Sequence, residues 1–378
     1  MKEKLTPENI RVEYLQDINY AIATNGGKFL NTCEITNDDN EDWRDGSQME
    51  MADTRAYILN EGNAGSNNSN IIYFDWQEDL VYPKCIFTEQ NGKQLGDTGN
   101  DICMAGDKIL VAVNVSNYVA LLTGAGVEKS RLSFEGEEYK HLGQVRSLAV
   151  SGNNVFVSSY GGYVSKLRIS GNKLNYVDSL KVGTYPETLA EKDGKIYCAV
   201  SGWGSDKRVA VIDANKFDAV EYIEVMGNPD NVLASDNAIL VQGYGSDNSY
   251  PWGTINPDTK EYTQKGNATA YTVYNNVVYA AMSETDWSNW PDVSTVTTLY
   301  TYDLTTDKKN NTFFKEMPEA IKSSSAYSLS VNPYTGDIFL ATTDFSTDGI
   351  IYKFKADGTY QLAFPAYGIN PNKIVFLK

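Results

Sequence analysis

The sequence predicts an all-β protein, a seven-bladed β-propeller built of four-stranded antiparallel blades. Two observations predict this fold class. First, a segment of short β-rich runs separated by turn residues recurs along the chain at intervals of 38 to 61 residues, which is the pattern of propeller blades. Second, the chain ends on half a repeat, and a half-repeat at the C-terminus can complete a blade that begins without its first strand.

The clearest copy of the repeat is Tyr185–Asp213. Within it, Thr188–Ala190, Lys195–Val200 and Val209–Asp213 have the composition of short strands. The dipeptide Asp193-Gly194 predicts a two-residue hairpin, because both central positions of that turn need positive φ. The alternating run Ala219–Val225 supplies a fourth strand, so one repeat makes one four-stranded sheet.

Seven copies of the second strand can be recognised, and they predict seven blades. The copies are Ala56–Leu59, Ile109–Val113, Val155–Ser159, Ile196–Val200, Ile239–Gln242, Val277–Ala281 and Ile338–Thr342. Six of them are preceded by a first strand. Those strands are Asp101–Ala105, Arg146–Val150, Glu187–Glu191, Asn231–Ser235, Thr269–Tyr274 and Tyr327–Val331.

The blade at Ala56 has no first strand before it, and the C-terminus supplies one. Ile369–Leu377 resembles the lead-in and first strand of a blade, after which the chain stops. We therefore expect this strand to complete the N-terminal blade and close the ring, leaving no open sheet edge. The predicted domains are a flexible leader or tether over residues 1–53 and the propeller over residues 54–378.

Composition and charge restrict the function classes. The 378 residues carry a net charge of −17, and the pI is near 4.6, which argues against nucleic acid and anionic membrane surfaces as partners. Because the chain has a single histidine, His141, neither a histidine-based metal cluster nor a catalytic triad is expected. We predict no catalytic residue, no metal site and no cofactor, although a lyase, lactonase or glycosidase using paired carboxylates stays an alternative.

The candidate binding residues lie in the loops that join second to third strands. In a propeller these loops emerge on the same face as the loops leading to the next blade, and four of the six tryptophans fall in them. Aromatic residues in loops are harder to explain as core than those in strands, although packing between loops is the alternative. The predicted ligand-binding residues are Asn60, Glu61, Asn63, Asn114, Tyr160, Trp203, Tyr244, Trp252, Trp287, Trp290, Asp344 and Phe345.

One stretch resembles a known family. Tyr57–Ser69 (YILNEGNAGSNNS), followed by Ile72–Asp75, is similar to the opening blade of the YncE-like surface propellers of gut anaerobes, and the resemblance extends over Arg55–Lys378. It implies a seven-bladed, exported protein, lipid-anchored at the cell surface or outer membrane. The residues before Cys33, GGKFLNT, lack the apolar core of a lipoprotein signal, so a signal and its lipidation site are not visible here.

Within that family, the BtuG proteins capture vitamin B12 and other corrinoids and pass them to a TonB-dependent outer-membrane transporter. The resemblance therefore implies a corrinoid as the small-molecule ligand and such a transporter as a partner. A corrinoid has a broad apolar macrocycle edged with amides, which suits loops rich in aromatic residues, Asn and Ser. A glycan suits the same composition, and the sequence does not separate the two. A protein-interaction propeller would use the same face.

Overall fold

Each repeat folds into one four-stranded antiparallel sheet, and seven such sheets form a ring. The structure is a computed structural model that describes residues 45–245, 249–286, 288 and 294–378. The predicted fold class is confirmed.

The strands of blades 1 to 4 follow the chain in order, except that the C-terminal strand belongs to blade 1. Blade 1 contains β1 (Arg55–Asn60), β2 (Asn70–Asp75) and β3 (Leu80–Cys85). Blade 2 contains β4 (Gly99–Ala105), β5 (Lys108–Val113), β6 (Tyr118–Leu122) and β7 (Glu128–Ser133). Blade 3 contains β8 (Val145–Ser151), β9 (Asn154–Ser159), β10 (Tyr163–Ser170) and β11 (Lys173–Lys181). Blade 4 contains β12 (Pro186–Lys192), β13 (Lys195–Val200), β14 (Arg208–Asp213) and β15 (Glu221–Glu224).

The remaining three blades follow, and the last strand returns to blade 1. Blade 5 contains β16 (Pro229–Ala234), β17 (Ile239–Gly243), β18 (Pro251–Ile255) and β19 (Tyr262–Asn267). Blade 6 contains β20 (Ala270–Tyr274), β21 (Val277–Asp286), β22 (Ser294–Asp303) and β23 (Lys308–Asn310). Blade 7 contains β24 (Ser325–Val331), β25 (Ile338–Thr343), β26 (Ile350–Phe354) and β27 (Tyr360–Pro365), and β28 (Pro371–Leu377) then completes blade 1. Two short α-helices of the described residues lie in connections, α1 (Ile86–Asn91) and α2 (Glu319–Lys322).

Burial follows position within the blade. Second strands such as β1 and β5 are almost wholly buried, because neighbouring blades cover both of their faces. The outermost strands lie at the rim of the ring and are polar; every residue of β23 is exposed. The innermost strands contact one another around a central channel, β4 with β8, β8 with β12, and so on to β24 with β28.

The ring is closed by strand pairing between the two ends of the propeller. β28 pairs antiparallel with β1, so that Arg55 lies opposite Leu377 and Ile58 opposite Ile374. The ring of Phe376 packs on Phe339 of blade 7 with centroids 5.3 Å apart. The predicted closure of the first blade by the C-terminal strand is therefore confirmed.

Part of the predicted leader packs on the propeller. Met49 and Met51 are buried in the cluster between blades 1 and 2, together with Phe87 of α1. The Gln90 side chain accepts a hydrogen bond from the Gln48 N–H at 2.7 Å and donates one to Ser47 Oγ at 2.8 Å. Residues 1–44 lie outside the described residues, so the domain boundary at residue 53 stays a prediction for them.

Closure predicts a large loss of stability when β28 is removed. Deleting Pro371–Lys378 exposes one edge of β1 and the channel side of blade 1. We expect a sharp fall in Tm, or no soluble folded protein, whereas deletion of the exposed Lys378 alone leaves Tm unchanged. The milder Phe376→Ala variant should lose about 3–5 kcal/mol in chemical denaturation. Unchanged melting of the truncated protein would contradict closure by this strand.

The packing of Met49 and Met51 predicts that two N-terminal truncations differ. Removing residues 1–53 takes two buried methionines out of the core, whereas removing residues 1–44 leaves them in place. We expect the shorter protein to be less stable than the longer one by roughly 2–5 kcal/mol. Equal midpoints in urea for the two truncated proteins would show that this packing does not contribute.

Candidate ligand-binding site at the channel mouth

A large cavity lies in the central channel. Its volume is about 770 Å³, within the usual range for ligand sites. The first residues of the innermost strands form its wall, and loops of blades 1, 4 and 5 reach its mouth.

A shared irregularity directs side chains into this cavity. Six of the seven innermost strands have a register shift, a β-bulge, near their first residues, and only β20 of blade 6 pairs without one. A bulge inserts an extra residue in one strand and re-aims its side chain. The polar residue that directly follows the first residue of each of these six strands, or the second residue in β24, lines the cavity, and we call this set the six bulge residues. They are Asn100, Arg146, Glu187, Asp230, Tyr327 and Asn372.

Arg146 and Glu187 join blades 3 and 4 across the cavity wall. Arg146 Nε donates to Glu187 Oε2 at 3.0 Å, and Ser201 Oγ donates to Glu187 Oε1 at 3.0 Å. Burial raises the pKa of Glu187, Arg146 opposes that shift, and the nearby Asp230 carboxylate adds to it. Burial lowers the pKa of Arg146, but Tyr160 and the carboxylates around it raise it by more. The pair is thus a partly buried ion pair held in one geometry.

Glu61 links blade 1 to its neighbours on the other side of the channel. It accepts a hydrogen bond from Asn100 Nδ2 at 2.9 Å and another from the Tyr327 hydroxyl. Burial raises the pKa of Tyr327, and the Glu61 carboxylate raises it further, so the phenol stays a donor. Blades 1, 2 and 7 are therefore connected at the mouth through one carboxylate.

The cavity lining carries more negative than positive charge. It contains the acidic residues Glu61, Asp101, Glu187 and Asp230, and the basic residues Arg146 and Lys373. Two positive charges against four negative ones leave a formal charge of −2 on the lining. Lys373 Nζ donates to Asp101 Oδ1 at 2.8 Å, which fixes that pair in the wall.

Aromatic side chains surround the mouth in three groups. Tyr185 contacts Tyr160 and Trp203, with ring centroids 5.4 and 5.0 Å apart. Tyr244 and Tyr250 of blade 5 are in edge-to-face contact at 5.0 Å. The third group pairs Tyr327 with Phe345 of blade 7 at 6.0 Å, and 57% of the Phe345 surface is exposed.

Among the residues that the structure describes, Trp203 has the most exposed large apolar side chain, with 77% of its surface accessible to solvent. Its backbone is in the left-handed region, at φ 55° and ψ 44°, between Gly202 at φ 57° and Gly204 at φ 89°. A non-glycine residue there is strained, and such strain is concentrated at functional sites. The Trp203 N–H donates to Ser201 Oγ at 3.2 Å, so the same serine that binds Glu187 also holds this turn.

The structure brings several of the predicted site residues to the cavity. Glu61, Trp203 and Tyr244 line it. Tyr160 lies behind Trp203 through Tyr185, and burial raises its pKa to about 12. Asn63 is joined to the loop of blade 7, because its Nδ2 donates to the Phe345 carbonyl at 3.3 Å.

Other predicted site residues have structural contacts away from the cavity. Asn60 and Asn114 are buried, and their side-chain amides donate to the carbonyls of Ala366 at 2.8 Å and Val145 at 2.6 Å. The predicted loop position of Trp252 is wrong: it lies in β18, is fully buried, and donates to the Tyr300 hydroxyl at 2.8 Å. Trp287 and Trp290 lie outside the described residues.

None of the six bulge residues was among the predicted site residues. The available signal was a polar residue at the second position of an otherwise apolar first strand, as in Val145-Arg146, Pro186-Glu187 and Pro229-Asp230. Within the described residues, no group of three or more His, Cys, Asp and Glu side chains could hold a metal ion. No helix in the same residues is long and apolar enough to cross a membrane.

Asp344 caps the turn that carries Phe345, and its titration gives a pH prediction. It accepts from Thr347 Oγ1 at 2.6 Å, Thr347 N at 2.7 Å and Ser346 N at 2.9 Å, and these bonds lower its pKa to about 2. Because the folded pKa lies below the unfolded value, the contribution to stability is full above pH ~4. It is lost as the pH falls towards 2.

We therefore expect Asp344→Asn to melt below the wild type at pH 6 and to converge with it near pH 2. Asp348→Asn is the matched control, because the Asp348 side chain accepts no hydrogen bond from any described residue in the same loop. A wild-type minus Asp344→Asn difference in Tm that does not change with pH would contradict this role.

Comparisons with known proteins agree with the fold. A candidate 6-phosphogluconolactonase of Bacteroides fragilis NCTC 9343 is 10% identical over 87% of this chain and 99% of its own, with a TM-score of 0.59. Kuenenia stuttgartiensis hydrazine synthase is 12% identical over 68% of this chain and 77% of its own, with a TM-score of 0.55. The WD40 domain of Neurospora crassa Pan2 is 12% identical over 70% of this chain and 79% of its own, with a TM-score of 0.50.

At these identities the likeness concerns the fold alone. No curated protein matches the chain. A family model, described as "Domain of unknown function (DUF5074)", matches residues 55–359, which is most of the propeller. The chain therefore belongs to this family, the domain of unknown function DUF5074.

Proposed function

We propose that this protein is a non-catalytic, cell-surface binding protein that captures a corrinoid at the channel mouth. It would then pass the corrinoid to a TonB-dependent outer-membrane transporter. The observation that carries the proposal is the construction of the mouth. At six of the seven blades a β-bulge directs a polar side chain into the cavity, and exposed aromatic side chains surround the mouth. The sequence resemblance to the YncE-like surface propellers supports the ligand class, the location and the transporter.

The dimensions of the cavity suggest how a corrinoid would bind. A corrinoid is larger than the cavity of about 770 Å³, so its macrocycle would lie across the mouth. The exposed rings of Trp203 and Tyr244 would contact the apolar face of the macrocycle. The amide side chains at its edge would enter the cavity and bond to the six bulge residues, which carry both donors and acceptors.

The hydrogen bonds of Glu61 and Glu187, two of the four carboxylates in the cavity lining, favour a structural role over proton transfer for this pair. Glu187 is held by Arg146 and Ser201, and Glu61 by Asn100 and Tyr327. In general acid–base catalysis by two carboxylates, both groups must lie within hydrogen-bond reach of the substrate. These two carboxylates are instead occupied in fixing the wall of the cavity.

Calorimetric titration of the full chain with cyanocobalamin tests the proposal. We expect saturable binding to the wild type and a 5- to 150-fold weaker affinity for Trp203→Ala, which corresponds to about 1–3 kcal/mol for a central aromatic contact. Its Tm should stay near the wild-type value, because the side chain is exposed.

Two further variants serve as controls. Tyr222→Ala removes an exposed aromatic side chain from the outer strand of the same blade and should leave the affinity unchanged. Trp252→Ala removes a buried side chain and should lower stability by about 3–5 kcal/mol.

The outcomes distinguish the ligand classes. Absence of binding to cyanocobalamin would contradict the proposal that the ligand is a corrinoid. Binding of a glycan on an array, lost in Trp203→Ala, would then assign the same mouth to carbohydrate. Unchanged affinity together with lost stability in Trp203→Ala would show that this tryptophan stabilises the loop instead of contacting the ligand.

A further inference from the structure

Two charged side chains in the cavity, Arg146 and Asp230, have hydrogen-bonding atoms without a partner among the described residues. Arg146 uses Nε on Glu187, but its two terminal NH2 groups donate to none of the described residues. The Asp230 carboxylate accepts from none of the described residues; only the Asp230 backbone carbonyl does, from Thr188 Oγ1 at 3.0 Å. Both side chains line the cavity. Glu187, the third charged bulge residue, accepts hydrogen bonds through both of its carboxylate oxygens.

Such groups are costly to leave unpaired. Only 22% of the Arg146 side chain is exposed, so its terminal donors have limited access to solvent. Buried polar groups in native proteins are nearly always satisfied, by protein, by water or by a ligand. In a cavity open to solvent, water makes these hydrogen bonds when no ligand is present, and a bound ligand must replace them with its own.

Arg146 and Asp230 face the same space from two blades. Arg146 lies on β8 of blade 3 and Asp230 on β16 of blade 5, with Glu187 of blade 4 between them. Burial lowers the pKa of Arg146, whereas Tyr160 and then the Asp230 charge raise it. The two side chains form no hydrogen bond or ion pair with each other, so the terminal donors of Arg146 and the acceptors of Asp230 are both available to a ligand in the cavity.

We propose that Arg146 and Asp230 together bind a primary amide of the ligand. Arg146 donates to the amide oxygen, and Asp230 accepts from the amide NH2. The proposal rests on the proposed function and makes it more specific, because it assigns a ligand group to two named side chains.

The alternatives fit this pair less well. A carboxylate has acceptors alone, so its second oxygen would meet the Asp230 carboxylate, in a lining that already has a formal charge of −2. An ammonium has donors alone and would meet the Arg146 guanidinium. A primary amide is neutral and has both an acceptor and donors on adjacent atoms. It therefore satisfies both groups without burying a new charge.

The first experiment compares cyanocobalamin with its monocarboxylic acids, in which one peripheral amide is replaced by an acid. We expect one of these acids to bind the wild type about 10- to 100-fold more weakly than cyanocobalamin, because a bond to a charged group is lost and a like charge is introduced. In Asp230→Asn, whose side chain can donate to a carboxylate, that ratio should fall towards one.

Asp258→Asn is the matched control, because it removes the same charge from an exposed turn of the same blade. It should keep the wild-type ratio. A ratio that is unchanged in Asp230→Asn for every monocarboxylic acid would overturn the proposal.

The second experiment does not depend on the corrinoid. In protein labelled with 15N-arginine, the Nε–H signal of Arg146 can be assigned by its absence in Arg146→Lys. We expect propionamide to shift this signal in the wild type and sodium propionate at equal ionic strength to leave it in place. Both compounds should shift it in Asp230→Asn.

The two experiments fail separately. If cyanocobalamin does not bind but propionamide shifts the Arg146 signal, the proposed ligand is wrong and the amide site stands. If cyanocobalamin binds but propionamide leaves the Arg146 signal unmoved, the amide site is wrong and the proposed function stands.

Discussion

The pairing of β28 with β1 is the constraint on which the rest of the structure depends. It joins residues more than 300 positions apart in sequence, and it places the last strand of the chain in the wall of the cavity. Asn372 Nδ2 donates to the Asn100 carbonyl at 2.6 Å, and Lys373 is paired with Asp101 of blade 2. The proposed binding site is therefore complete only when the ring is closed, and the proposal implies that ring closure and ligand binding are linked.

The fold could be predicted from sequence because each blade repeats a local pattern. Hairpin turns such as Asp193-Gly194 and buried runs such as β5 are determined by neighbouring residues, and seven copies reinforce one another. Trp252 shows where local patterns fail. It follows a turn-rich run and a proline, which favour a loop, yet Pro251 is the first residue of β18 and the indole fills the space between blades 5 and 6.

The candidate site was predicted only in part, for a related reason. Exposed aromatic residues in loops, such as Trp203, are recognisable because burial does not explain them. Arg146 and Asp230 lie at the start of strands that are otherwise ordinary, and their orientation depends on a one-residue shift in pairing with the next strand. A register shift is a property of two strands at once, so it is not visible in either strand alone.

The absence of a bulge in β20 has a consequence for how a ligand is oriented. A ring of seven equal blades would offer a bound molecule seven equivalent orientations around the channel axis. Here blade 6 has no bulge, and the charged members of the six bulge residues all lie on blades 3, 4 and 5. On the proposed function, an asymmetric ligand would have one preferred rotation about the channel axis. A substitution of a single bulge residue would change one part of the cavity wall and leave the strand pairing of that blade intact. Related proteins could therefore differ in ligand preference through changes in one blade at a time.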